Sequence, residues 1–225
     1  MGVVLDGLLE LLAPTRCAGC EFPGAVLCPT CRQALPVVDP SKACPACGAP
    51  FGALVCTECW ETVFSFEQVI AFGQLEGALA RAVVLHTDAG ERRLGAVLGG
   101  LLGDAVCDTW GEWAQAVSWI PPSSAALRRR GFDHGESIAA AVAQRLGIAH
   151  IEALHRPKAL DQRLLGRAER LAQSQVGFGV VRDVSARVLL VDDVMTTGAT
   201  LEAASLALLG AGATQVRCGV VARAW

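Results

Sequence analysis

Eight cysteines fall between residues 17 and 59 as four Cys-x-x-Cys pairs: Cys17/Cys20, Cys28/Cys31, Cys44/Cys47 and Cys56/Cys59. A Cys-x-x-Cys knuckle places two thiolates on one side of a tight turn, at the separation a tetrahedral metal requires, and two knuckles complete a four-sulfur shell. Gly48, directly after Cys47, supplies the permissive backbone such turns often need. A segment of about 50 residues cannot bury much core, so metal binding would supply its folding energy. Two structural zinc ions are expected, with one zinc plus spare thiols as the competing arrangement. Four protein sulfurs leave no open coordination position, which makes each zinc structural rather than catalytic. Spacing does not decide whether the pairs group sequentially or first with third and second with fourth. A disulfide framework would need an oxidising compartment, and a redox motif would be a lone pair, not four in series. Cys107 and Cys218 stand alone in apolar stretches and read as buried, inert thiols.

The rest of the chain has the means for a conventional core. Apolar residues make up 52% and charged residues 18% of the 225, which excludes a disordered chain. A formal net charge of −3 gives no global attraction to nucleic acid or anionic lipid, so any such contact needs a local basic patch. In the leading stretch, Leu5, Leu8, Leu9 and Leu12 share one face of a short helix. Asp6 and Glu10 interrupt it, and no basic leader or small-residue cleavage site precedes Cys17, so it does not read as a signal peptide. The longest uncharged run elsewhere, Leu94 to Gly103, is far too short to span a bilayer. A cytoplasmic protein with no membrane partner is expected.

Beyond residue 60 the pattern alternates strand with helix. Gln68 to Phe72 is strand-like, while Glu76 to His86 and Arg92 to Cys107 read as helices. Ala116 to Ile120 is a second strand, stopped by Pro121-Pro122. Gly135 to Leu146 is helical and ends at Gly147. Val188 to Val191 is a continuous apolar, β-branched run of the kind buried on both faces of a parallel sheet. Helix Thr200 to Leu209 and strand Val216 to Ala222 follow. The expected fold is α/β, an open and mostly parallel sheet with flanking helices, preceded by a small cysteine-rich zinc module. The expected division is residues 1–62 for the leading helix and zinc module, and 63–225 for the α/β domain.

The most specific segment is Val188-Leu-Leu-Val-Asp192-Asp193-Val-Met-Thr196-Thr197-Gly198-Ala199-Thr200. An apolar strand delivers two carboxylates at its C-terminal end, where open α/β sheets bind ligands. The turn that follows opens a helix, pointing backbone N–H groups and the helix dipole at one spot, which suits a phosphate monoester. Gly198 allows close backbone approach, Thr196, Thr197 and Thr200 offer hydroxyls, and the acidic pair can accept from two vicinal ribose hydroxyls. Phosphate at one end and a diol at the other describe a 5-phosphoribosyl group.

This segment resembles the 5-phosphoribosyl pyrophosphate (PRPP) motif of type I phosphoribosyltransferases. The chain as a whole, over residues 14 to 223, resembles the ComF family of competence-protein-type phosphoribosyltransferases. Arg128-Arg129-Arg130-Gly131-Phe132 looks like that family's Arg-Gly-Phe element; Gln162, Leu165, Glu169-Arg170 and Phe178 look like its Gln-x-x-Leu to Glu-Arg segment. Departures stand beside these matches. Asp133-His134 replaces the usual Asn-Gln, Thr87 stands where a lysine is common, and Gln173 where an asparagine often stands.

The resemblance implies a set of roles. Asp192 and Asp193 would bind the ribose hydroxyls, and Thr196, Thr197, Gly198, Ala199 and Thr200 the 5′-phosphate. Arg128, Arg129, Arg130 and Gly131 are candidates for pyrophosphate, the alternative being a solvated basic patch. Mg2+ would accompany PRPP as a Lewis acid. Residues 155 to 178 correspond to a loop closing over the site, where Arg156, Lys158, Arg163, Arg167 and Arg170 outnumber Asp161 and Glu169, even with Glu152 just before it; a plain surface loop is the alternative. His134 and His155 read as surface histidines. Two functions stay open: a phosphoribosyltransferase acting on an unidentified acceptor, or a non-catalytic module that senses a nucleotide or grips single-stranded DNA, with Trp60 and Phe64 as stacking surfaces.

Overall fold

The computed structural model describes residues 14–156 and 177–225. The expected helix through Leu5, Leu8, Leu9 and Leu12 lies outside them, as do Lys158, Asp161, Gln162, Arg163, Leu165, Arg167, Glu169, Arg170 and Gln173 of the expected closing loop.

In chain order the elements are α1 (Pro29–Gln33), β1 (Val69–Gln74), α2 (Gly77–Thr87), α3 (Arg93–Trp110), β2 (Ala116–Trp119), α4 (Ser124–Arg130), α5 (His134–Leu146), β3 (Ala149–His150), β4 (Leu154–His155), β5 (Gly179–Val180), β6 (Arg187–Met195), α6 (Ala199–Gly210) and β7 (Gln215–Arg223). Five strands form one sheet in the order β1-β7-β6-β2-β3, and every pair in it is parallel. β4 and β5 make a separate antiparallel ribbon. Val188, Leu189, Leu190 and Val191 of β6 are fully buried, as a strand covered on both faces demands. No described helix is long and apolar enough to cross a membrane.

One face of the sheet packs against α2, α3 and α5 through Leu79, Leu94, Leu98, Leu102, Ile138 and Val142. The opposite face packs against α6 through Leu201, Ala204 and Leu208. On the first face, α3 presents Gly95, Gly99 and Gly103 to α5: a Cβ at Gly99 would stand 2.6 Å from that of Ala141, and one at Gly103 2.8 Å from that of Arg145. Glycine every fourth residue leaves a groove on one side of α3, and the backbone of α5 settles into it.

The cysteine segment wraps the free edge of β1. Val38 N–H donates to Phe72 O (2.9 Å), Gln74 N–H to Pro36 O (2.8 Å) and Val69 N–H to Pro45 O (2.9 Å), and Val37 bridges Gly73 antiparallel. Cys17, Ala18, Leu27 and Leu35 join the α2/α3 core, whereas Cys44, Cys47, Ala49, Cys56 and Cys59 join the α6 core. The two halves of the segment thus straddle the sheet edge.

Candidate functional site

The cysteines sort into two clusters in sequential order: Cys17, Cys20, Cys28 and Cys31, then Cys44, Cys47, Cys56 and Cys59, with the sulfurs of each within 4.8 Å of one another. This settles the grouping that spacing left open. The Cys20–Cys28 and Cys47–Cys56 sulfur pairs are 3.8 Å apart, and a tetrahedron with Zn–S bonds of about 2.3 Å has edges of about 3.8 Å. Backbone amides already point at the sulfurs: Cys28 N–H to Cys17 Sγ (3.3 Å) and Cys56 N–H to Cys44 Sγ (3.3 Å). At Cys17 burial opposes ionisation, yet these amide bonds outweigh it and the thiol is pulled down to about 6. Both clusters can hold zinc. The second is buried at all four ligands; the first leaves Cys20 exposed. Of the two lone cysteines, Cys218 is buried as expected and Cys107 is half-buried; burial pushes the Cys218 thiol far up.

The ends of β6 and β2 build the second centre. Ile120 N–H donates to Val191 O (3.0 Å), so Pro121-Pro122 leaves the sheet beside Asp192 and Asp193. Asp192 is half-buried. Burial first, and then the neighbouring Asp193 carboxylate, push its carboxyl well above the usual range, with the Arg156 guanidinium opposing them. Arg156 is fixed by Nε donating to Pro121 O (2.7 Å) and by its guanidinium lying 4.9 Å over the Phe178 ring. Arg156 and Phe178, at the two described ends of the expected closing loop, therefore meet beside the acidic pair.

After Met195 the chain turns through exposed Thr196 and Thr197 to Gly198, which caps α6 at φ +81°. A Cβ there would stand 2.7 Å from Met195 Cε and 3.1 Å from Phe64 Cε1, so both conformation and space demand glycine. The backbone N–H groups of Thr196, Thr197 and Gly198 donate to no described residue, and they flank the N-terminus of a twelve-residue helix. Such a turn is a ready anion cradle. Ala199 and Thr200 form the first turn of α6.

The arginine triplet lies on the last turn of α4, a helix for which the sequence carried no expectation; Ser123 caps its start (Ala126 N–H to Ser123 Oγ, 3.1 Å) and Gly131, at φ +72°, its end. Arg128 and Arg129 are exposed. Arg130 turns inward, with Nη2 3.2 Å from Asp88 Oδ1 and Nη1 3.0 Å from His134 Nδ1. The other nitrogen of His134, Nε2, lies 3.5 Å from Asp193 Oδ2. His134 is buried, not a surface residue. Desolvation lowers its pKa, only partly offset by Asp193. Asp133 caps α5 (Glu136 N–H to Oδ1, 3.0 Å) and accepts from Trp119 Nε1 (3.0 Å). Thr87 is buried at the end of α2, and His155 is exposed.

Beside the Thr196–Thr197 turn, on its zinc-module side, opens a cavity of about 480 Å³ lined by Glu58, Thr62, Phe64, Thr196, Thr197 and Arg223 among others. Phe64 stacks on Phe66 at 4.6 Å, while Trp60 is 78% exposed. Residues 51 to 67 carry Glu58, Glu61 and Glu67 and no lysine or arginine.

Residues 173–224, from β5 through β6, the turn, α6 and β7, match the family model of the phosphoribosyl transferase domain. Among solved structures, glutamine PRPP amidotransferase from B. subtilis, complexed with ADP and GMP, is 23% identical with a TM-score of 0.43, over 57% of this chain and 26% of its own. Orotate phosphoribosyltransferase from Aeropyrum pernix is 22% identical (TM-score 0.38; 59% of this chain, 60% of its own). Adenine phosphoribosyltransferase from Leishmania tarentolae is 16% identical (TM-score 0.36; 59% and 58%). This chain therefore spans less than two thirds of the length of each of these three. No curated protein matches it.

Proposed function

We propose that the chain binds PRPP, or a ligand built on ribose 5-phosphate, at the end of β6, and that it transfers the phosphoribosyl group to an acceptor. One observation carries the reading: a strand end with two adjacent carboxylates runs directly into a glycine-capped turn whose unengaged N–H groups face the start of a long helix. In this reading the turn from Thr196 to Thr200 holds the 5′-phosphate, and Asp192 and Asp193 accept from the ribose hydroxyls. Arg128 and Arg129, unengaged by any described carboxylate, reach the pyrophosphate, and Arg130 orients His134. The two carboxylates, one of them held up by burial and then by its neighbour, form a hard-oxygen donor set suited to Mg2+. Bound with the ligand, Mg2+ would supply charge neutralisation at the pyrophosphate. The protein's own part is positioning and electrostatic stabilisation of an oxocarbenium-like state.

The alternative of a single-stranded-DNA grip through Trp60 and Phe64 has charge against it. The pocket beside Trp60 is lined by Glu58 and Glu61 and by no cation, and phosphate backbones need Lys or Arg. The test is a melting curve of the zinc-loaded protein with and without PRPP and magnesium, beside an Asp192→Asn/Asp193→Asn variant. Ligand at about a hundred times its Kd stabilises by about 2.7 kcal/mol. A shift that vanishes in the variant supports the pocket and justifies screening acceptor bases. A folded wild type with no shift ends the proposal.

A further inference from the structure

Arg223, the last residue of β7, is 4% exposed and forms no ion pair with any described carboxylate. Its Nε donates to Cys47 O (2.9 Å) and its Nη1 to Met195 O (3.2 Å). One planar guanidinium therefore ties a knuckle of the second cysteine cluster to the residue that begins the phosphate turn. A buried cation without a counter-charge is costly. A zinc ion with four thiolates carries a net charge of −2, so the centre to which Cys47 belongs is the compensating charge its position offers.

Two more ties join the same partners. Phe64, just past Cys59, stands against Gly198 at the apex of the turn. Ser65 donates through N–H (2.7 Å) and Oγ (2.9 Å) to the Glu202 carboxylate in the first turn of α6. The start, apex and far side of the turn are thus each held by chain that flanks the second cluster. The first cluster has different anchors: Arg81 of α2 bonds Gly19 O at 3.0 Å and Glu21 at 2.5 Å.

From this we infer that metal at the Cys44–Cys47–Cys56–Cys59 centre, and not at the other, is coupled to the shape of the 196–200 turn, with Arg223 and Glu202 as the positioning residues. The ligand half of this inference rests on the ribose-phosphate reading above. Coupling between two sites is reciprocal: zinc at the second centre strengthens ligand binding, and ligand strengthens zinc binding by the same factor.

The experiment is an equilibrium competition for zinc between the full-length protein and a chelator, followed by alkylation of freed thiols and peptide mass spectrometry to show which cluster has emptied. With PRPP and magnesium present, the second cluster should hold zinc about tenfold more tightly, and the first should be unchanged against a magnesium-only control. Arg223→Met should abolish that protection while Arg223→Lys keeps part of it. In a ligand-free arm, Glu202→Gln, which cuts the tie from the turn side, should weaken zinc at the second cluster alone. Ligand that raises the melting temperature yet leaves both clusters' affinities unchanged overturns the coupling, as does a Glu202→Gln variant with wild-type zinc affinities. Absence of any melting shift overturns the ribose-phosphate reading instead, and the ligand-free arm still decides the coupling.

Discussion

The Nε2 of His134 stands 3.5 Å from the Oδ2 of Asp193, so the first turn of α5 reaches the second carboxylate of the acidic pair. Arg130 holds the opposite ring nitrogen at 3.0 Å, and the two contacts fix the plane of the imidazole. Removing the ring in His134→Ala, which leaves Asp193 without its polar neighbour, should weaken PRPP binding about fivefold, the equivalent of ~1 kcal/mol. His134→Gln, which keeps a donor, should retain most of the affinity. Calorimetric titration checks the order; equal affinities for the alanine variant and wild type would remove His134 from the site.

The same histidine sets a pH dependence. Burial keeps its folded pKa below the ordinary 6.5, against the pull of Asp193 and with Arg130, Asp133 and His86 nearby. The unfolded chain therefore takes up a proton first as pH falls through 6.5, and stability is lost toward acid. His134→Gln should flatten the melting-temperature profile between pH 7 and the acid side relative to wild type.

Asp192 acts with the opposite sign. Its folded carboxyl is held above the 3.8 of a free group, so the folded state binds a proton that the unfolded state has released. Its contribution is fully present below 3.8 and is lost as pH rises through the folded value. Asp192→Asn should erase that slope and melt higher at neutral pH, by about 2–4 °C for each kcal/mol of relieved repulsion and desolvation. It should also lose the stabilisation by PRPP. A variant that melts lower than wild type would contradict this account.

Adjacent glycines on α3 should respond in opposite directions. Gly99 faces the backbone of Ile138, whereas nothing lies within 4 Å of a Cβ at Gly100. Gly99→Ala should cost about 1–3 kcal/mol through overpacking. Gly100→Ala should gain about 0.5–1 kcal/mol from helix propensity. Denaturation midpoints of the two zinc-loaded variants measure the order directly.

Metal analysis should return two zinc ions per chain. Cys47→Ser, in the fully buried cluster, should lower stability more than Cys20→Ser, whose thiol is exposed. Zinc content and melting temperature of both variants read this out; equal losses would mean that burial does not rank the two centres.

Legibility followed the range of the interactions involved. The β6 run Val188–Val191, the acidic pair and the Thr-Thr-Gly turn were readable because strand, turn and helix start are contiguous and each residue type has a local reason to be there. The helix under the arginine triplet has local signals in its Ser123 and Gly131 caps, but at seven residues it is too short to show an apolar period. His134 was misread because its partner Asp193 lies in another strand, and a lone histidine has no pattern of its own. Arg223 lies just past the expected strand Val216 to Ala222 and carries no local signal of a role. Its role depends on Cys47 and Met195, which only tertiary packing brings to it. The sequential grouping of the knuckles likewise follows from how the segment wraps β1, with one half on each face of the sheet.

The strand order has a consequence for biosynthesis. β7, last of the described strands in the chain, sits between β1, the first, and β6. On a ribosome the cysteine segment and β1 emerge early, but β1 has no strand to pair with inside the sheet until β7 is free of the exit tunnel. Until then its inner edge is open to other chains, and β1 is guarded on its outer side alone, by residues 36 to 38 and by Pro45. Early zinc uptake, by closing the knuckles around that outer edge, would halve the surface at which a nascent chain can mispair.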